Sequence, residues 1–445
     1  MSMVAGVLYL PQGLHLDIFG FNLFALRFVE LAGFIRVMSR QELSFSKLNG
    51  IDRSLALFSI YTTVVFLFRS PDGQAFEIGR TVDTLLCYFT FRGLLRDVDE
   101  FRWFLASFLL LLIPYVVLVL LERVTLANPF NEYLAGTAPF VVREGKIRAA
   151  GSFNHPSLLG TLGGSFIPLY VGLWIPKKSR AIASVGIALC VAIVVASNSG
   201  APIACVVVAL IGWIFWGMRT RMRLVLYGLM GLLALLAISM KAPIWYLLAR
   251  FSDLTGGDGY HRSYLMDISF QNLDKWWLGG MAIADTKDWF PYLNYTTGGA
   301  DMTNQYLVFG MTAGFGAIAL FIIVLKRAFN HLGKALDILR SKGRNARDEE
   351  YLIWGLGVMV LVHVINWLSI PYFDQSVVLW LMELAIIANL TTTIMSQSPS
   401  TISRRNSGAC ETVVEVHTET PGNKCETGRQ LPEGTGVESS TQLRE

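Results

Sequence analysis

Eleven apolar runs, each roughly 17–25 residues long, set the terms on which this chain folds. They cover 16–38, 51–68, 79–95, 101–121, 153–175, 181–197, 202–218, 223–240, 303–325, 351–368 and 376–393. A helix of that length crosses the hydrocarbon core of a bilayer. In lipid, moreover, a spanning segment must satisfy its own backbone hydrogen bonds. The expected fold class is therefore an all-α integral membrane protein, a polytopic bundle of about 11–12 transmembrane helices. The twelfth depends on residues 3–10, which are apolar but too short to span. No charged leader and no small-residue cleavage site mark them as a signal peptide. They read as the remnant of a first helix, or as a sign that the start codon is set late. Charged residues make up 16% of the chain, against about 25% in a soluble domain.

Lysines and arginines between the runs give the orientation, because cytoplasmic loops of membrane proteins are enriched in them. One set holds Arg36, Arg40, Lys47 and Arg53, then Arg96 and Arg102, then Lys177, Lys178 and Arg180, then Arg219, Arg221 and Arg223. A basic loop at 326–350 adds Lys326, Arg327, Lys334, Arg340, Lys342, Arg344 and Arg347. These loops alternate along the chain, so one topology satisfies them all, with the basic side cytoplasmic. The external loops are then 69–79, 122–152, 198–201, 241–302 and 369–375. A polytopic domain spans 1–394. Residues 395–445, rich in Ser, Thr, Gly and Glu, are expected to be a disordered cytoplasmic tail.

The net charge of +4 belongs to these loops. Nucleic-acid binding has no support, since no basic stripe is interleaved with exposed aromatics. Cys87, Cys190 and Cys205 lie in apolar segments, and Cys410 and Cys425 in the tail. None has metal-ligand or disulfide-framework spacing, so they read as small buried hydrophobes and free tail thiols. Arg27 and Glu30 stand three residues apart on one helix face, the spacing of a mutually neutralising pair facing the bundle. Apart from these two, with Asp83 and Arg92 nearer the ends of their helix, the spans read as clean. No internal repeat or inverted-repeat signal is visible.

The unusual polar groups fall instead at the external ends. Residues 241–305 form the longest polar interval, with Arg250, His261, Arg262, a Gly256-Gly257-Asp258-Gly259 turn, and Asp301 and Asn304 at the mouth of the next span. The stretch after Arg262 suits an amphipathic surface helix, and Trp276 and Trp277 suit the water–lipid interface. Upstream, Arg148 precedes Asn154-His155-Pro156 at the mouth of another span. A helix N-terminus beside an arginine is a natural anion site, although interfacial Arg with a capping Asn is an equally plain reading. Ser197-Asn198-Ser199-Gly200 is a tight external turn, so Ser199, like Asn154 and Asn304, is placed to line a polar cavity. Arginine suits phosphate because its planar fork binds two oxygens at once.

Taken in order, Arg148…Gly151-Ser152-Phe153-Asn154-His155-Pro156, Ser197-Asn198-Ser199-Gly200, Arg250…Arg262, Trp277-Leu278-Gly279-Gly280, Asp301-Met302-Thr303-Asn304-Gln305-Tyr306, and then Gly310, Gly314 and Gly316, resemble the O-antigen ligase and O-antigen polymerase family of bacterial envelopes. The resemblance covers roughly residues 75–330. It implies a multi-pass protein of the bacterial inner membrane with a periplasmic active face. The implied donor is an undecaprenyl-pyrophosphate-linked glycan, and the implied acceptor a hydroxyl of a glycan or glycolipid. Polysaccharide-export or chain-length proteins are implied partners, and no cofactor or metal is. Asp253, Asp258, Asp285 and Asp288 in the large loop keep a divalent ion open. Arg148, Arg250 and Arg262 would hold the pyrophosphate. Where the family's ligases carry a His just before the Asn at the mouth of that helix, this chain has Thr303, a poor general base. That leaves Asp301, His261 and His155 as candidate bases, and favours the polymerase side of the family over the ligase side. A transporter or flippase of a lipid-linked solute is the alternative. It predicts polar residues near the bilayer midplane.

Overall fold

The computed structural model describes residues 1–11, 14–18, 21–43, 48–70, 73–134, 136, 141–143, 145–250, 259–290 and 298–397. The expected tail, with Cys410 and Cys425, and the loop residues Asp253, Gly256, Gly257 and Asp258 lie outside them. The described residues belong to one unit, Met1–Ser398. In chain order come α1 (Ser2–Tyr9), the strands β1 (His15–Ile18) and β2 (Phe21–Phe24), α2 (Ala25–Ser39), α3 (Gly50–Arg69), α4 (Gln74–Leu94) and α5 (Val98–Thr125). A short α6 (Pro129–Tyr133) and the hairpin β3 (Val141–Arg143) and β4 (Lys146–Arg148) follow, then α7 (Pro156–Trp174), α8 (Arg180–Ser197), α9 (Gly200–Ile214) and α10 (Met222–Ser239). The rest is α11 (Gly259–Gln271), α12 (Leu273–Trp276), α13 (Gln305–Ser341), α14 (Arg347–Asn366) and α15 (Gln375–Ser396).

The chain is a largely helical, multi-span membrane protein. Among the described residues, seven helical stretches are long and apolar enough to cross a membrane, with α9 and α10 counted as one stretch through the 3-10 turn Phe215–Arg221. The run at 16–38 does not form one span. Its first half is an antiparallel pair, His15 opposite Phe24, and only α2 is helical. The sequence His15-Leu16-Asp17-Ile18 alternates polar and apolar residues, a two-residue period that favours a strand over a helix. The Arg27 and Glu30 pair is joined by a third charge from another helix. Arg27 reaches across to Asp83 of α4 at 2.8 Å, while Glu30 is buried. The basic stretch 326–350 is mostly helix, because α13 runs on to Ser341 before the turn Gly343–Ala346. Lys and Arg are good helix formers, and their long stems let a helix continue past the apolar zone.

α7 is the axis of the bundle, 89% of its apolar window being buried, and α8, α9 and α14 pack around it. Glycines allow the contact with α14. A Cβ on Gly172 would stand 2.9 Å from Tyr351 O, and one on Gly355 would stand 2.8 Å from Pro168 O. Helices in lipid gain little from hydrophobic burial, so close backbone approach through small residues carries much of their packing. α10 contrasts with α7: it is apolar along its length and buries no residue.

The polar contacts gather at two ends of the bundle. At one, Arg92 and Tyr88 hold Asp52 (3.0 and 2.6 Å), Arg327 donates to Gly50 O (2.6 Å), and Arg219 and Arg340 share Glu350 (3.1 and 2.9 Å). At the other lie Arg148, His155, Ser199 and Asp374. The loops grouped by their basic residues thus meet at one end, and those grouped as polar loops meet at the other.

Candidate functional site at the mouth of α7

The site is built on the turn that joins β4 to α7. Glu122, near the end of α5, accepts from the backbone N–H groups of Ala150 (3.0 Å) and Gly151 (2.8 Å), and from Asn128 (3.1 Å). Gly151 has φ +58, and a Cβ there would meet the Tyr115 hydroxyl at 2.6 Å, so the turn requires glycine. Ser152 donates to Leu8 O at 2.7 Å, and Gln375 donates to Ser152 O at 2.8 Å, tying the turn to α1 and α15. α1 is therefore part of the scaffold under the site, buried along most of its length.

From this turn Arg148 extends to two hydroxyls, Ser157 at 3.3 Å and Ser199, which are themselves 2.7 Å apart. Ser157 is the second residue of α7, and Ser199 lies just before α9, so the guanidinium stands between two helix N-termini, where anions are favoured. His155 caps α7. Its Nδ1 accepts from Ser157 N–H at 3.1 Å. Burial pushes the imidazole down to about 4, and the positive charges of Arg148 and Arg262 push in the same direction. A neutral imidazole with Nδ1 accepting carries its hydrogen on Nε2, so the ring presents a donor to the mouth. Arg262, over a hundred residues away in the large loop, also acts electrostatically on His155.

Asn154, one residue before His155, donates to Asp374 at 2.5 Å. Asp374 precedes α15 and holds a positive φ of 56. Burial pushes its carboxyl up to about 6, against the opposing hydrogen bond from Asn154. Sequence reasoning passed over this carboxylate. Its one signal is its place in the short external loop 369–375, on the same side as the other candidates.

His261 and Asp301 are together, with His261 Nε2 3.4 Å from Asp301 O and the imidazole stacked on Phe290 at 4.5 Å. Asn304 caps α13 through the N–H groups of Tyr306 (2.9 Å) and Leu307 (3.2 Å), and is itself buried. The hydroxyl of Thr303 is buried without a hydrogen-bond partner among the described residues. Arg250 is exposed, and no described contact joins it to Arg148 or Arg262. The Trp277–Gly280 motif meets the glycines of α13 directly. Phe315 N–H donates to Trp277 O at 2.8 Å, and Met281 N–H donates to Met311 O at 2.9 Å, where α13 breaks at Ala313 and Gly314.

Two ionisable residues lie inside spans that read as clean. His363 of α14 and Glu383 of α15 are 2.5 Å apart and buried. Among the described residues, no group of three or more His, Cys, Asp or Glu side chains is arranged to hold a metal. No protein-family model matches the chain, and no curated protein matches it.

Proposed function

We propose that the chain is a membrane glycosyltransferase of the O-antigen polymerase and ligase type. It transfers an undecaprenyl-pyrophosphate-linked glycan to an acceptor sugar hydroxyl during synthesis of a surface polysaccharide. The observation that carries this reading is the convergence of Arg148 and Arg262 on His155 at two helix N-termini. A pyrophosphate needs several fixed donors and positive charge near the membrane surface. Arg148, Arg262, the Nε2–H of His155 and the hydroxyls of Ser157 and Ser199 supply them. In the transfer, the acceptor oxygen bonds to the anomeric carbon as the bond from that carbon to the phosphate oxygen breaks. The electron pair leaves on the lipid pyrophosphate, which the two arginines stabilise. The hydroxyl proton passes to Asp374, whose raised carboxyl suits a general base better than the donor-oriented His155. Asp301 and His261 sit with Arg262 on the loop side, suited to the glycan chain. We favour polymerisation over ligation, with the bacterial inner membrane as location, the periplasmic face as the active one, and export or chain-length proteins as partners.

Replacing Arg148 or Arg262 by Ala is expected to lower polymer output by about 10²–10³-fold, read on a gel of surface polysaccharide. An Arg262→Ala strain with full-length polysaccharide would sink the proposal. In a deletion strain, single repeats without long chains mean polymerase, whereas accumulated lipid-linked long chains mean ligase.

A transporter or flippase of a lipid-linked solute is the second reading, and the buried His363–Glu383 pair favours it, since transporters place ionisable groups deep in the membrane. Solute uptake by vesicles carrying the purified protein without an acceptor separates the two.

A further inference from the structure

Between α7, α14 and α15, His363 lies between two partners. Its Nε2 is 2.5 Å from Glu383 Oε2, and its Nδ1 is 2.5 Å from the Tyr372 hydroxyl. Asn366 donates both to Tyr372 Oη (3.1 Å) and to Thr161 Oγ (2.9 Å), and Thr161 in turn donates to Ser157 O at 2.8 Å. The network therefore begins one helical turn below the arginine site and ends at Glu383. Eight residues separate Glu383 from the start of α15, about 12 Å along the axis. Among the described residues, three oxygens in and around the network have no hydrogen-bond partner: Ser376 Oγ, Asn366 Oδ1 and Glu383 Oε1. Ser376 is 4% exposed. It lines a cavity of about 10 Å³ together with Thr161, Ser165, His363, Tyr372, Leu162 and Leu379.

We propose that this cavity binds one water molecule, and that the water, Tyr372, His363 and Glu383 form a protonatable centre inside the membrane that exchanges a single proton with the mouth. The volume matches one water, and the lining offers that water several hydroxyl partners. It offers no carboxylate, so a cation would lack a charged ligand there. Burial, before the effect of Cys205, holds the Tyr372 phenol well above its ordinary range, so Tyr372 takes part as an intact O–H. In the resting arrangement Tyr372 donates to Nδ1, and Nε2–H donates to Glu383.

On uptake, the cavity water accepts a proton arriving from the mouth as it passes one of its own to Tyr372 Oη, and Tyr372 passes its own to Nδ1, so that water and phenol both stay neutral and the imidazole gains the one proton. The imidazolium then donates to Tyr372 and to the Glu383 carboxylate. Tyr372 turns its hydrogen to the water or to Asn366 Oδ1, the acceptor left unpaired in the resting arrangement. No bond to carbon changes and no electron is transferred. The other ionisable groups facing the centre are Tyr306 of α13 and Cys205 of α9, with Cys87 of α4 against Val378. α7 contributes only the hydroxyls of Thr161 and Ser165. Tyr372 N–H also donates to the Gln305 side chain at 2.6 Å, so a shift at Tyr372 reaches the mouth of α13.

The test uses the full chain in bilayers with 15N-labelled histidine, read by solid-state NMR. The chain has six histidines, and His363→Gln assigns the signal that disappears. The expected result is a His363 ring that gains one proton on acidification, together with magnetisation transfer from water to that ring. Ser376→Val, which fills the cavity, removes the transfer. Ser376→Ala removes a water ligand without adding bulk, and is expected to weaken the transfer if the valine variant does not fold. A His363 ring that keeps one protonation state throughout, water transfer that survives both Ser376 variants, or a signal that follows sodium concentration overturns the proposal. The glycosyltransfer reading is untouched by any of these results, because none involves donor or acceptor glycan.

Discussion

His155 and Asp374 both touch the Asn154 corner of the site, and burial moves their protons in opposite directions. The folded His155 stays neutral down to about 4, whereas an unfolded imidazole takes its proton near 6.5. Between those values the unfolded chain binds more protons, so stability falls as pH drops through the window. Asp374 keeps its proton up to about 6 in the fold and loses it near 3.8 when unfolded. The folded chain then binds more protons, so the stability it gains at acid pH is lost as pH rises through about 6. His155→Gln is expected to flatten the acid slope of the melting temperature. Asp374→Asn is expected to raise the melting temperature above about pH 6 by on the order of a few degrees, and, if Asp374 is the base of the proposed transfer, to remove a rise of that activity with pH. Melting curves across pH, paired with activity on the same samples, check both. An Asp374→Asn variant with an unchanged pH profile would remove Asp374 from the proposed base role. At this scale His155 was legible, because a His-Pro pair at a span mouth is local information. Asp374 was not, since its partner Asn154 is 220 residues away. His363 and Glu383 vanish into the hydropathy of their runs, each being a single ionisable residue among apolar neighbours.

α13 shows what a hydropathy run conceals within one element. The run 303–325 marked a span, and Asn304 marked its mouth. Neither shows that the helix continues to Ser341, nor that it breaks at Ala313 and Gly314 to accept the loop turn at Trp277. Gly314 has φ +72, and a Cβ there would collide with the carbonyl of Leu278. The chain thus needs glycine at the break for both conformation and space. Gly314→Ala is expected to cost about 1–3 kcal/mol and to loosen the 273–281 turn, which thermal unfolding and protease sensitivity of the large loop report. Unchanged melting and unchanged cleavage would mean that the break is not fixed by that contact. The spacing of Gly310, Gly314 and Gly316 was visible in the sequence, but the approach of Gly310 and Gly314 to Trp276 and Trp277, and of Gly316 to Tyr61, joins segments that no local pattern connects.

For the whole molecule, the distribution of arginine and lysine carried the most information, because it sorted distant loops onto two sides before any contact was known. The structure brings Arg92, Arg219, Arg327 and Arg340 to one end, and Arg148, His155 and Asp374 to the other. Both ends are fixed by polar contacts between segments far apart in sequence, such as Asn389 with Leu95 and Gln375 with Ser152. A single topology therefore requires Lys146 and Lys342, both exposed, to face opposite compartments. The natural cysteines allow a direct test. Cys87, Cys190 and Cys205 are buried, so replacing Cys410 and Cys425 by Ser leaves a background with no exposed described thiol. Lys146→Cys is expected to react with a membrane-impermeant maleimide from the periplasmic side of intact cells stripped of their outer membrane, and Lys342→Cys only in inverted vesicles. Reaction of both from one side would break the alternation on which every external residue was grouped. Reversed labelling would keep the bundle but turn the arginine site to the cytoplasm, where a periplasmic transferase has no substrate.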